Sequence, residues 1–299
     1  MGRIKDTSSL KSFNDRSFGV EIEFVLRRGV SAELAAAKIE EYANNRLPQD
    51  NQLTVRFAGY THAVTQCWKI VTDASVHSTG ATRGYFKGLE LVSPIIKGEK
   101  GAQQLKVILE AMKQDMNGKA LCAINKTCGL HVHHDIRVWR DELRSQDVSS
   151  NENAINKLTN LITLTTKFED VIYGMLPASR RQGTWCQPVS HIYNNVFSAI
   201  NGKSNHKRSA KVKYLKNVKK NNGNSTRWQI GRYCGLNTQN FFKYGAVEFR
   251  YGSPTLNFEK MMNWVVFTQC FVNMAETFKT VNSVKEMKLD TKKNVDLTF

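Results

Sequence analysis

The stretch Phe18-Gly19-Val20-Glu21-Ile22-Glu23-Phe24-Val25-Leu26 constrains this chain more than any other. Successive side chains of an extended strand point to opposite faces, so Val20, Ile22, Phe24 and Leu26 line one side and Glu21 and Glu23 fall together on the other. Such a strand belongs in a sheet with one apolar face to cover and one polar face. A single occurrence would read as a solvated outer face, but the design returns three times. Tyr85–Val92 sets Glu90 opposite Leu89 and Leu91. Leu130–His134 sets His131 and His133 opposite Leu130, Val132 and His134. Ala246–Tyr251 sets Glu248 and Arg250 opposite Val247, Phe249 and Tyr251. A cross-strand salt bridge explains one such pair but not four strands of one design.

The apolar faces need helices, and the 3.6-residue period supplies them. Ser31 caps a predicted helix to about Arg46 carrying Ala35, Ile39 and Tyr42; a second runs over Lys100–Met116 with Leu105, Ile108, Leu109 and Met112. Ile155–Met175 and a segment capped by Asn257 and reaching about Lys279 complete the set. Shorter strands are expected at Leu53–Phe57, Trp68–Thr72 and Leu121–Asn125. Asp73 follows the second of these, either facing what the strand's end faces or opening a turn. The fold expected is therefore α+β: a curved, mainly antiparallel sheet with an acidic concave face and helices packed on its apolar face. At 299 residues the chain suits one large domain or two small ones; we read 17–280 as a single catalytic domain with tails at 1–16 and 281–299.

Charge narrows the partners. The formal net charge of +17 attracts polyanions without naming one. No acidic residue lies between Asp170 and Glu248, whereas Arg180, Arg181, Lys203, Lys207, Arg208, Lys211, Lys213, Arg227, Arg232 and Lys243 do. Lys203–Asn224 reads as a basic loop. Neither a leader at Met1–Lys11 nor a membrane span is indicated. The six cysteines form no CxxC pair, so we expect reduced thiols, a cytoplasmic protein and no zinc site. GxxxxGK[ST], strand-linked GxGxxG and GxSxG motifs are missing, which leaves P-loop, Rossmann and serine-hydrolase chemistry unsupported.

If the four strands lie side by side, their polar residues share one hollow. Two carboxylates ~4 Å apart repel by about 4 kcal/mol at an effective dielectric of 20, and Glu21, Glu23, Glu90 and Glu248 compound this. Divalent ions resolve the conflict, and oxygen donors with few nitrogens favour Mg²⁺ or Mn²⁺ over zinc. Mg²⁺ held by few protein ligands implies a phosphate-bearing substrate, and Arg250, in line with Glu248, suits the stabilisation of a transferring phosphoryl group.

Taken in order, Phe18–Phe24, Asp73-Ala74-Ser75, Glu90-Leu91-Val92-Ser93-Pro94, Cys128-Gly129-Leu130-His131-Val132-His133, Ser179-Arg180, and Val247-Glu248-Phe249-Arg250 followed by Thr255-Leu256 and Trp264 resemble the amidoligases. These are carboxylate–amine ligases similar to glutamine synthetase and glutamate–cysteine ligase. The resemblance spans about Phe18 to Thr280. It implies a sheet curved around ATP and metal, and ATP-dependent, ADP-forming joining of a carboxylate to an amine. By position it implies metal ligation by Glu21, Glu23, Glu90, His131 and Glu248, a nucleotide-phosphate contact from His133, phosphoryl stabilisation by Arg250, and a catalytic part for the acidic residue Asp73. Arg180, Arg181 and Arg232 are then candidates for holding phosphate or substrate carboxylate. The rival reading is a metal-dependent nuclease or nucleic-acid-binding protein, and a third is an inactive scaffold of the same fold. Against the nuclease, Lys203–Lys220 carries only Tyr214 as a stacking aromatic.

Overall fold

The computed structural model describes residues 16–114, 120–181, 185–190 and 233–278. The expected tails, the basic stretch 203–224 and Arg232 lie outside the described residues, Arg16 excepted. The described residues divide into two compact units, one holding those within 16–132 and 252–266, the other those within 133–251 and 267–278.

The first unit is organised around β1 (Phe18–Arg27). β1 pairs antiparallel with β4 (Tyr85–Val92), β4 pairs antiparallel with β3 (Trp68–Thr72), and β3 pairs in parallel with β2 (Val55–Phe57). β5 (Cys122–Ala123) also pairs with β1, and β6 (Leu130–Asp135) lies on the other side of β1 from β4. The class is α+β with mostly antiparallel pairing. Register aligns Ile22, Leu91 and Ile70 across three strands, and all three are fully buried. Against that face pack α1 (Ala32–Asn44) and α2 (Gly98–Met112), with Ile39, Leu105, Ile108, Leu109 and Met112 buried. Each such side chain contributes about 1.5–3 kcal/mol when removed from water. Ser31 caps α1 by accepting from the Leu34 N–H, as its position predicts.

The opposite face is not wholly polar. Val25 is buried there against Val76 and Cys128. The segment after β3 reaches it because residue 88 is glycine: a Cβ on Gly88 would lie 1.9 Å from the Val76 carbonyl oxygen.

The second unit holds the end of β6 from His133, then α3 (Arg137–Arg144), α4 (Val148–Gly174), α5 (Ala178–Arg181), β7 (Leu236–Asn237), α6 (Asn240–Tyr244), β8 (Ala246–Gly252) up to Tyr251, and α7 (Phe258–Thr277) from Phe267. β7 pairs antiparallel with β8, placing Asn237 opposite Glu248. Val247, Phe249 and Tyr251 are buried on one face of β8. α3 is absent from the sequence expectation because only Trp139 and Leu143 mark its apolar side in a run of charges. α4 begins seven residues before the expected Ile155, because Asp147 caps it by accepting from the Ser149 and Ser150 N–H groups. Packing of α4 against α7 brings the Phe168 and Phe271 rings edge to face at 6.1 Å.

Candidate active site

In the first unit three strands deliver acids and an imidazole to one place. Glu23 on β1 stands in direct register with Glu90 on β4. Glu23 is also tied to the turn before β6: its N–H donates to the Gly129 carbonyl at 3.1 Å, and the Gly129 N–H donates to its Oε2 at 2.6 Å. That pair of bonds fixes the neighbouring His131 ring among the acids. Its Nδ1 lies 3.1 Å from Glu21 Oε2 and 3.7 Å from Glu90 Oε1, and its Nε2 lies 3.5 Å from Glu23 Oε1. The side chains of His131 and Glu23 are 5% and 8% exposed, so water does little to screen this concentration of charge.

The donor set fits a hard divalent cation. One ligand atom each from Glu23, Glu90 and His131 lies within 4.8 Å of the others, a spacing an ion can draw together. Two carboxylates and one nitrogen, with Glu21 bonded to the same imidazole, suit Mg²⁺ or Mn²⁺ more than the sulfur-rich sets of structural zinc. Asp73 closes the end of β3. Its Oδ1 accepts from the Ser75 N–H at 2.7 Å and from Ser75 Oγ at 2.6 Å, so it initiates a turn, whatever else it does.

The second unit gathers the remaining predicted residues. Glu248, buried, accepts from Asn237 Nδ2 at 2.7 Å and from the Arg250 guanidinium on its own strand face. Arg180 on α5 is buried and donates from Nη2 to the Arg250 carbonyl at 2.5 Å, while its Nε has no hydrogen-bond partner among the described residues. Arg181 turns away to the end of α4, donating to the Leu176 and Gly174 carbonyls. His133 is half-buried on β6. Beneath β8, Glu169 is buried and accepts from the Val189 and Ser190 N–H groups and from Tyr251 Oη at 2.6 Å. Burial first, and the Glu169 carboxylate second, push the Tyr251 phenol well above its ordinary range.

The sequence assigns no role to Gly129, Asn237 or Lys69. The first two act through a main-chain N–H and a two-residue strand, neither of which has a side-chain pattern. Lys69 had a signal: a lone cation between Trp68 and Ile70 on a strand with no other charged residue.

A charged cluster on the polar face of helix-backed antiparallel strands defines a candidate metal-dependent enzyme. The model of the family described as "Putative amidoligase enzyme" matches residues 14–272, and the chain belongs to that family, whose chemistry is of the ligase type. No curated protein matches the chain in sequence. A bifunctional glutathione synthetase from Pasteurella multocida is similar at 14% identity and a TM-score of 0.37, over 88% of this chain and 40% of its own. The chain thus spans less than half of that enzyme's length, and the likeness is too low to define a shared fold. No helix among the described residues is long and apolar enough to cross a membrane.

Proposed function

We propose that this chain is an ATP- and Mg²⁺- or Mn²⁺-dependent carboxylate–amine ligase that forms an amide through an acyl phosphate. The observation that carries the reading is the Glu23, Glu90 and His131 cluster, joined by Glu21, in a chain of the amidoligase family. A substrate carboxylate oxygen attacks the γ-phosphorus of ATP, the bond to the bridging oxygen breaks, and ADP leaves. The amine nitrogen then attacks the acyl carbon, phosphate departs, and the nitrogen's proton passes to a base, a role open to Asp73. Glu21, Glu23, Glu90, His131 and Glu248 are the residues assigned to metal. A bound divalent ion neutralises phosphate oxygens and lowers the repulsion the attacking carboxylate meets.

The remaining work falls to the chain's own cations. Arg250, oriented by Glu248, stabilises charge on the transferring group, and His133, Arg180, Arg181 and Arg232 are assigned to phosphate or substrate carboxylate. The same reading takes the sheet as curved and glutamine-synthetase-like, 17–280 as one catalytic domain, and the cytoplasm as the compartment.

Purified protein with ATP, Mg²⁺ and a panel of acids and amines should release ADP and phosphate only when both an acid and an amine are present. Glu23→Gln should abolish that release. Release of AMP in place of ADP, or plasmid cleavage without ATP, overturns the assignment.

A further inference from the structure

Lys69 stands on the same face of the first unit's sheet as the acids. Trp68 and Ile70 face the helices: Trp68 Nε1 donates to Gln104 on α2, and Ile70 aligns with Leu91 and Ile22. Alternation therefore turns Lys69 and Val71 to the other side, where Val71 aligns with Glu90 and Glu23, and Lys69 with Val92 and Glu21. The lysine is 4% exposed. Its ammonium donates to the Ala63 carbonyl, and no carboxylate among the described residues pairs with it. An ammonium offers three donors, and one carbonyl uses one of them.

A buried cation without a counter-charge is unfavourable unless something compensates it. The nearby acids do not do so, although Glu90 is its diagonal neighbour across the β3–β4 pair, about 7–8 Å away between Cα atoms. We propose that Lys69 holds a second anionic group, a carboxylate, on the acid substrate whose other carboxylate is activated at the Glu23, Glu90 and His131 cluster. Glu21 lies two strands away, roughly 10 Å, a span that one lysine side chain and a short dicarboxylic acid can bridge. The inference rests on the ligase reading for the fate of the reacting carboxylate, but the subsite itself stands on the sheet register and on an ammonium with donors to spare.

Binding separates the two without turnover. Full-length protein with Mg²⁺ is titrated calorimetrically with succinate and with butyrate, which share a four-carbon chain and differ in one carboxylate. Succinate should bind at least roughly tenfold more tightly, as one added charge-assisted hydrogen bond requires. Lys69→Met should remove that preference and Lys69→Arg should keep most of it. Equal affinity of the two acids for the unsubstituted protein overturns the proposal, and so does a Lys69→Met protein that melts earlier but keeps the preference, because Lys69 then only pins the Ala63 loop. Binding of inorganic phosphate that depends on Lys69, without a succinate preference, also overturns it and gives the site to the nucleotide. The absence of ADP release with every acid and amine would sink the ligase reading while leaving a succinate preference intact.

Discussion

On the proposed metal reading, Glu90 serves binding and not stability. Its carboxylate and that of Glu23 offer oxygens within 4.8 Å of each other, and at that separation two like charges repel by about 3–4 kcal/mol at an effective dielectric of 20. Glu90→Gln keeps the shape and removes one charge. The metal-free protein should therefore melt higher, while Mn²⁺ affinity, followed by the loss of free-ion electron paramagnetic resonance signal, should fall by roughly tenfold or more. Parallel changes in the two quantities would mean that Glu90 is structural. Tyr251 gives the complementary case. Its phenol is raised above its unfolded value of about 10, so its contribution is complete below that pH and declines as pH rises from there toward the folded value. Tyr251→Phe leaves Glu169 with two N–H donors in place of three partners, which costs about 1–3 kcal/mol near neutrality. Tyr173 is raised by burial with the same sign, so the difference between the unsubstituted protein and the Tyr251→Phe protein isolates the one phenol. Above pH ~10 that difference should shrink in thermal melts, and a constant gap would rule out the linkage.

Elements reveal what a sequence can carry. β3 and β4 fall on the residues that alternation assigns, Trp68–Thr72 and Tyr85–Val92, because burial of one face forbids a slip by one residue. The convergence of Glu23, Glu90 and His131 is legible for the same reason: once the apolar faces are known, the acids must share the other. Polar helix starts and two-residue strands carry no such period. α4 opens on Val148-Ser149-Ser150-Asn151, and only the cap at Asp147 marks it. The serine hydroxyls at 149 and 150, then the N–H groups, hold the Asp147 carboxylate below the usual range. A lowered acid stabilises above its unfolded value, about 3.9, and loses that contribution as pH falls through the folded one. Asp147→Ala should lower the melting temperature at neutral pH, and the gap should close as the solution is acidified below about pH 3.9. A gap that persists in acid would assign the effect to something other than the carboxylate. Lys69 marks the limit of pattern reading: its strand is correctly placed, yet nothing in Trp68-Lys69-Ile70 says that its ammonium meets a carbonyl and no carboxylate among the described residues.

At the scale of the whole molecule, the excess of 43 basic over 26 acidic residues draws in any polyanion, so attraction alone cannot separate a nucleotide from a nucleic acid. Salt can. Binding a polymer releases condensed counterions, and a protein making 6–10 phosphate contacts loses roughly 10³–10⁵ in affinity between 50 and 200 mM salt. A nucleotide has no condensed atmosphere to release, and its phosphates meet specific donors that screening weakens only modestly. Over that interval the KM for ATP should therefore rise less than about tenfold, while retention of duplex DNA on a filter should collapse. The two are measured on the same preparation, ADP release beside filter retention. DNA retention that survives at 200 mM salt, with ADP release insensitive to added acid and amine, would move the function to nucleic acid. It would also recast the acidic cluster of the first unit as a centre for a phosphodiester, since the donors that suit Mg²⁺ serve either substrate.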